Sequence, residues 1–317
     1  TFYMWDFDNI WEMNGSYPYI NVRGETPEIE FDGDGDIEIP YYIETEEQLY
    51  ALAMGEAKAG SKIYYQLVND IAITAKFWTP IGEYDSFVGV FDGNGYTISG
   101  VKNSGTNYQY IGLFGNNAGT IKNLTVSGDV SGQSNVGILT GYNSGAIENC
   151  LTKGTANGTS DYIGGLVGEN YNGTVKTSGS TATVTGYRYV GGLIGQNHAS
   201  YGSPTITNCY AQGNVTGSGS YIGGLVGRNY LDHGNYAPVV RNCYAVGKVN
   251  DGEGAGLIGV NNGRVYNCYY RSINTGNLTG YSISTTNMKS QDTFYMWDFD
   301  NIWEMNGSYP YINVRGE

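Results

Sequence analysis

The sequence predicts an all-β fold: a parallel β-solenoid (β-helix) of coils roughly 26–32 residues long, with a short N-terminal capping helix and an aromatic C-terminal cap. Three observations predict it. First, a Leu-x-Gly turn recurs at Leu113-Phe114-Gly115, Leu139-Thr140-Gly141, Leu166-Val167-Gly168, Leu193-Ile194-Gly195, Leu225-Val226-Gly227 and Leu257-Ile258-Gly259, its glycines 26, 27, 27, 32 and 32 residues apart. Units this short enclose no core alone, so they must stack. Second, the strand at 205–217 alternates with period two: Cys209, Ala211, Gly213 and Val215 on one face, Tyr210, Gln212, Asn214 and Thr216 on the other. One face is then buried and one is wet. Third, the same register returns in Leu124, Val126, Gly128, Val130 and in Cys243, Ala245, Gly247, Val249, so equivalent inward residues form columns. The first inward column reads Leu124, Cys150, Ser178, Cys209, Cys243, Cys268. Glycine fills 49 of 317 positions, and corners that need positive φ are the expected reason.

Composition removes several classes. An apolar share of 40% and an aromatic share of 14% argue against disorder. Seven prolines and no Gly-X-Y period exclude collagen. No run of apolar residues is long enough to cross a membrane as a helix. Net charge is −14, and the first 50 residues hold 13 acidic groups against one arginine. The remainder is nearly neutral and lacks clustered Lys and Arg, which excludes nucleic acid as a partner. The opening Thr-Phe-Tyr-Met-Trp-Asp does not read as a signal peptide, so any targeting segment is expected elsewhere in a longer protein.

A long-range repeat sets the organisation. Residues 1–25, TFYMWDFDNIWEMNGSYPYINVRGE, return letter for letter at 293–317. Identity over that length, two Trp and two Met included, marks the chain as one unit of a tandem array. Residues 1–25 are then the C-terminal cap of a preceding unit, and 26–40 an acidic linker ending at Pro40. The region 41–60 is the N-terminal cap helix: within 44–59, Leu49, Leu52 and Met54 have helical spacing behind a first turn of acids. Residues 61–285 are the solenoid and 286–317 the C-terminal cap. Such ends are needed to protect the open sheet edges.

The repeats resemble the GLUG-motif family of bacterial and archaeal secreted and cell-surface proteins. The resemblance is carried by YIGGLVGEN (162–170), YVGGLIGQN (189–197), YIGGLVGRN (221–229) and the NCYA strands at 208–211 and 242–245. IETEEQLYALA (43–53), FDGNGYTISGV (91–101) and MKSQDTFYMWDFDNIWEMNGSYPYI (288–312) extend it over nearly the whole chain. VGILTGYNSG (136–145) and the strand at 174–186 depart from the motif but keep the pattern. The resemblance implies a β-solenoid scaffold. Some members carry a metalloprotease domain beside such repeats, and no HExxH occurs in this sequence.

Each candidate for chemistry has a plainer reading beside it. Cys209, Cys243 and Cys268 fall on successive coils; buried free thiols acting as small apolar fillers are expected, with one Cys209–Cys243 or Cys243–Cys268 disulfide as the alternative. Tyr210, Tyr244 and Tyr269 take the outward position beside them, forming either a stabilising ladder or a face that stacks sugars or docks another solenoid. His198, Asp232 and His233 fall in the insertions 197–204 and 229–238 of adjacent coils, as loop decoration or a metal or catalytic cluster. Asp32, Asp34 and Asp36 alternate like the first ligands of a calcium loop, but Ile37 and Ile43 stand where an EF-hand needs Gly and Glu. Calcium is the one cofactor the sequence suggests.

The expected function is non-enzymatic: a structural repeat unit of a long extracellular or cell-surface protein, acting as stiff spacer, adhesive module or filament subunit. Its expected partners are neighbouring copies of itself and surface glycans, with no direct membrane insertion. The alternative is a carbohydrate-binding or carbohydrate-active β-helix. That needs clustered acids, and between residues 101 and 200 only Asp129, Glu148, Asp161 and Glu169 occur, at different coil positions.

Overall fold

The computed structural model describes residues 29–55, 63–83, 85–103, 108–250, 254–273, 279–305 and 307–312, together with the backbone of strands Trp11–Asn14 and Tyr17–Ile20. The rest of 1–25 lies outside the described residues, as do 56–60 of the predicted cap helix.

Strands stack in parallel, coil on coil, along three sides. One side begins with Tyr41–Ile43, Tyr64–Leu67 and Val90–Asp92 and continues through Thr120–Gly132 and Ala146–Gly158 to Thr174–Lys176, Thr205–Thr207, Val239–Arg241 and Arg264–Tyr266. A five-stranded sheet runs from Gln109–Ile111 to Ile222–Gly223. A six-stranded sheet runs from Phe114–Asn117 to Ile258–Asn261 and contains the recurrent Gly-Asn segments. The column read from the sequence exists: Leu124, Cys150, Ser178, Cys209 and Cys243 are fully buried and Cys268 nearly so. The fold is therefore the predicted solenoid, set by period-two patterning repeated at coil length.

The corners differ from expectation in a specific way. Left-handed backbone is adopted chiefly by asparagine and tyrosine: Asn123, Asn149, Asn208, Asn242 and Asn267 form one column, and Tyr110, Tyr162, Tyr189 and Tyr221 another, all with φ between 49° and 67°. Asparagine tolerates this region because its short amide bonds locally. Here the amides also bond coil to coil, as from Asn149 to Asn123 at 3.0 Å and from Asn242 to Asn208 at 3.2 Å. The repeat glycines serve close approach instead. A Cβ on Gly195 would sit 2.5 Å from Ile163 N and 2.6 Å from Gly168 O, backbone atoms that cannot swing aside.

At the N-terminal end a helix spans Glu46–Ala53, shorter than 44–59. Thr45 and Gln48 form a reciprocal capping box that starts it, and Met54 is its C-cap rather than a core residue. Leu49, Leu52 and Ala53 pack into the same core as Tyr65 and Leu67. At the other end, turns at Asn287–Lys289 and Gln291–Thr293 lead into an aromatic segment. It packs against the outward faces of Tyr210, Tyr244 and Tyr269, so it lies along the side of the rod.

Candidate interaction surface

The tyrosine column is the best-formed feature outside the solenoid core. Parallel register sets Tyr210 beside Tyr244, Tyr244 beside Tyr269, and Tyr269 beside Tyr281. Gly179 precedes Tyr210 in the column and makes room for its ring: a Cβ there would meet the ring at 2.3 Å. Tyr210 and Tyr244 stack at 5.5 Å with planes 10° apart.

These side chains point away from the coil interior, as the alternation requires, but they are not open to solvent. Tyr244 is fully buried, and Tyr210 and Tyr269 are 5% and 9% exposed. The sequence offered them as either a stabilising ladder or a face for sugars or another solenoid; they stack as a ladder, and the C-terminal segment covers them. Phe294, Trp297, Trp303 and Ile312 close over the column with Met288. Trp297 and Trp303 stack at 4.5 Å, and Phe294 meets Tyr269 edge to face at 5.2 Å. The Tyr244 hydroxyl donates to Pro310 O and accepts from Gln212 Nε2 at 2.7 Å. Trp297 Nε1 donates to Asn267 O at 3.2 Å. Burial drives the phenols upward, Tyr210 to about 12 and Tyr244 well above the ordinary range.

The cysteines are free and buried, and the alternative of a disulfide among Cys209, Cys243 and Cys268 does not form. In-register parallel strands aim the thiols the same way, and each donates to a carbonyl two residues earlier: Thr207, Arg241 and Tyr266, at 3.0–3.1 Å. Burial pushes Cys150 up to about 12 and Cys243 well above its usual value. A raised folded-state value favours the neutral thiol in the native state. The associated stability is complete below the unfolded value of about 8.5 and is lost as pH climbs toward 12. Tyr210 acts in the same sense. All four thiols are buried and are expected to ignore a thiol-specific reagent at pH 8 until denaturant is added, and the Cys150, Cys243 and Tyr210 shifts make the melting temperature fall steadily above pH 9. Rapid labelling of native protein, or a flat alkaline profile, would contradict this.

The structure separates the histidines. His198 lies on the strand Ile194–Ala199 instead of in a loop, paired with Tyr171 and Tyr230 of the flanking coils. Its Nδ1 is 3.1 Å from Glu169 Oε1, and Gln196 Nε2 donates to the same oxygen at 3.1 Å. Asp232 and His233 stay at the surface and pair with each other at 3.0 Å, His233 being 82% exposed. Asp232 N–H donates to Ala199 O at 2.9 Å, next to His198, but among the described contacts His198 pairs with Glu169 and His233 with Asp232. Asp32, Asp34 and Asp36 are exposed on a turn, where Asp36 Oδ1 accepts from the backbone N–H of Glu38 and Ile39 at 2.8 and 2.7 Å. Among the described residues no three His, Cys, Asp or Glu side chains converge on a metal position.

Two aromatic columns escaped the sequence reading. Tyr162, Tyr189 and Tyr221 stack face to face at 5.2 Å. Tyr142, Tyr171, His198 and Tyr230 form a second series with neighbouring centroids 4.9–5.9 Å apart. Arg228 bridges them, its guanidinium carbon 5.1 Å from the Tyr189 ring centre and 3.5 Å from that of Tyr230. The tyrosine spacing of 27 and 32 residues was the available signal. Rings stacked on one another give their faces to their neighbours and turn edges outward, which suits stiffening better than sugar stacking.

The four acids considered for catalysis are each engaged. Asp129 accepts from Thr155 Oγ1 at 2.7 Å, Glu148 pairs with Lys176 at 2.7 Å, Asp161 is bidentate with Arg188, and Glu169 holds His198. Every one of these contacts joins one coil to the next.

Comparison with known proteins fits this geometry. Residues 159–185, 186–216 and 218–250 match the family model for the GLUG motif. Halomucin of Haloquadratum walsbyi is 34% identical over 166 residues, 48% of this chain and 2% of that protein. A protein of Evansella cellulosilytica, provisionally named a Gly-rich membrane protein, is 40% identical over 130 residues, 37% of this chain and 15% of that one. The matched regions thus span only a small part of either relative. A Bacteroides ovatus crystal structure with the provisional name immunoglobulin A1 protease superposes with a TM-score of 0.69 at 22% identity, covering 89% of this chain and 94% of that one. A second structure, named IgA1 protease, gives 0.56 at 16% identity over 92% of this chain and 22% of that one. At these identities the solved structures share the fold.

Proposed function

We propose, from the premise that this chain is a GLUG-repeat β-solenoid, that it serves as a stiff structural module in a longer protein outside the cell or at its surface. One observation carries the reading: the conspicuous side chains are spent on joining coil to coil. The buried amides of Asn117, Asn143, Asn170, Asn197 and Asn229 and the half-buried amide of Asn261 form an unbroken chain of hydrogen bonds at 2.7–2.8 Å along the rod. The tyrosine columns and the ion pairs run in the same direction, leaving no pair of free carboxylates among the described residues at 101–200.

Other features agree. A relative of which this match is 2% is a far longer chain, and the second relative's name places it at a membrane. Residues 1–25 and 293–317 fit the boundary of tandem units. Partners in this reading are neighbouring copies, with surface glycans as a secondary contact. The protease names belong to the structures that bear them; what this chain shares with those is the solenoid.

Electron microscopy of the longest natural form tests the proposal. Straight rods or beads in series, of uniform width, are expected. Compact particles together with turnover of polysaccharide or peptide substrates would overturn it in favour of an enzyme.

A further inference from the structure

The tyrosine face is a socket, and the sequence holds two copies of the segment that fits it. Residues 293–312 supply Phe294, Trp297, Trp303 and Ile312 to that face. At an offset of 292, residues 1–25 carry the same side chains as Phe2, Trp5, Trp11 and Ile20. The backbone agrees as well. Strands Trp11–Asn14 and Tyr17–Ile20 pair antiparallel with Glu12 opposite Tyr19, and the C-terminal copy sets Glu304 opposite Tyr311 in the same sense. These 317 residues therefore hold one socket and two copies of the plug sequence.

We propose that residues 1–25 dock on the Tyr210–Tyr244–Tyr269 face of a second copy of this chain, in the place that residues 293–312 take here. This rests on the tandem-module reading and names its joint. Identical sequences make identical contacts, so only tethering decides which copy occupies a socket. The N-terminal copy does not reach the Tyr244 level of its own socket. From Tyr41–Ile43 to the coil of Tyr244 is seven strand steps, about 34 Å along the rod. The nine Cα steps from Ile20 to Ile29, the first described residue of the solenoid end, span at most about 32 Å when fully extended, before any turn. A plug at one end and a socket toward the other make a head-to-tail contact, which propagates along a line of copies.

The test uses full-length chains in sedimentation velocity. Trp297→Ala with Trp303→Ala weakens the resident plug and leaves residues 1–25 intact. The expected result is a concentration-dependent rise in mean mass of about twofold or more. Adding Trp5→Ala and Trp11→Ala is expected to return the protein to monomer. A folded double variant that stays monomeric overturns the proposal, and so does an oligomer that survives the quadruple change. If the double variant melts early, a synthetic peptide of residues 1–25 is expected to raise its melting temperature, and no rise overturns the proposal. The rod-shape and turnover measurements are separate, so failure of the joint is distinguishable from failure of the module reading.

Discussion

Replacing Tyr244 by alanine is expected to detach the C-terminal segment before it unfolds the rod. The ring is fully buried between two layers: the solenoid behind it and Phe294, Trp297 and Trp303 in front. Its removal deletes the stack on Tyr210 and opens a cavity; large-to-alanine changes at such sites cost about 3–5 kcal/mol. Pro310 O loses its donor at the same time, which adds an unsatisfied buried group. The solenoid has its own core, continuous from Ile43 to Tyr270 and separate from this aromatic cluster. Limited proteolysis is therefore expected to cut within 287–312 while the repeats stay resistant. Tyr266, 41% exposed, is the control, and alanine there is expected within about 0.5 kcal/mol of wild type. A Tyr244→Ala protein whose tail stays protected would refute this account of the face.

Asn197→Leu is expected to split the rod's unfolding into two steps. Asn197 is fully buried, donates to Asn229 Oδ1 at 2.8 Å and accepts from Asn170 Nδ2 at 2.8 Å. Leucine is close in size but can do neither. Asn229 Oδ1 is left without its donor, while Asn170 Nδ2 keeps its bond to Gly173 O at 3.0 Å. With about 1–3 kcal/mol for one orphaned buried group, the loss is about 1–3 kcal/mol. In a stacked repeat, stability is the sum of coil stabilities and the coupling between neighbours, so a local loss weakens the coupling at that level. Calorimetry is expected to show a broadened or double transition, with a smaller denaturant slope for each part. A single, uniformly shifted transition would mean that the asparagine ladder does not couple the coils.

What the sequence made legible followed from periodicity. Cys209, Ala211 and Val215 alternate with polar neighbours, and the same register in other coils was enough to predict columns and a solenoid. Long-range packing was not legible. Tyr210, Tyr244 and Tyr269 do point outward from the coil, but no local pattern reveals that Trp297 and Trp303 return to cover them. His198 was assigned to an insertion because coil length grows after Gly195, whereas the strand continues to Ala199 before the extra residues begin. Repeat glycines suggested left-handed corners; the corners went to Asn and Tyr, because the glycines are needed where backbones nearly touch. Asp32, Asp34 and Asp36 have a calcium-like spacing, but a turn that Asp36 itself closes leaves them facing solvent.

The asparagine ladder also gives the rod a direction. Each Nδ2 points to the Oδ1 of the next coil toward the C-terminus, from Asn117 to Asn261. The amides cannot all reverse, because Asn117 Oδ1 accepts from Gly119 N–H at one end and Asn261 Nδ2 donates to Gly263 O at the other. Five aligned amide bonds in a dry interior polarise one another, and their dipoles add. The ladder is therefore polar, with an amide oxygen at its N-terminal end and an amide N–H at its C-terminal end. Modules joined in series on one polypeptide would all carry their ladders in this one sense, which gives the series a direction.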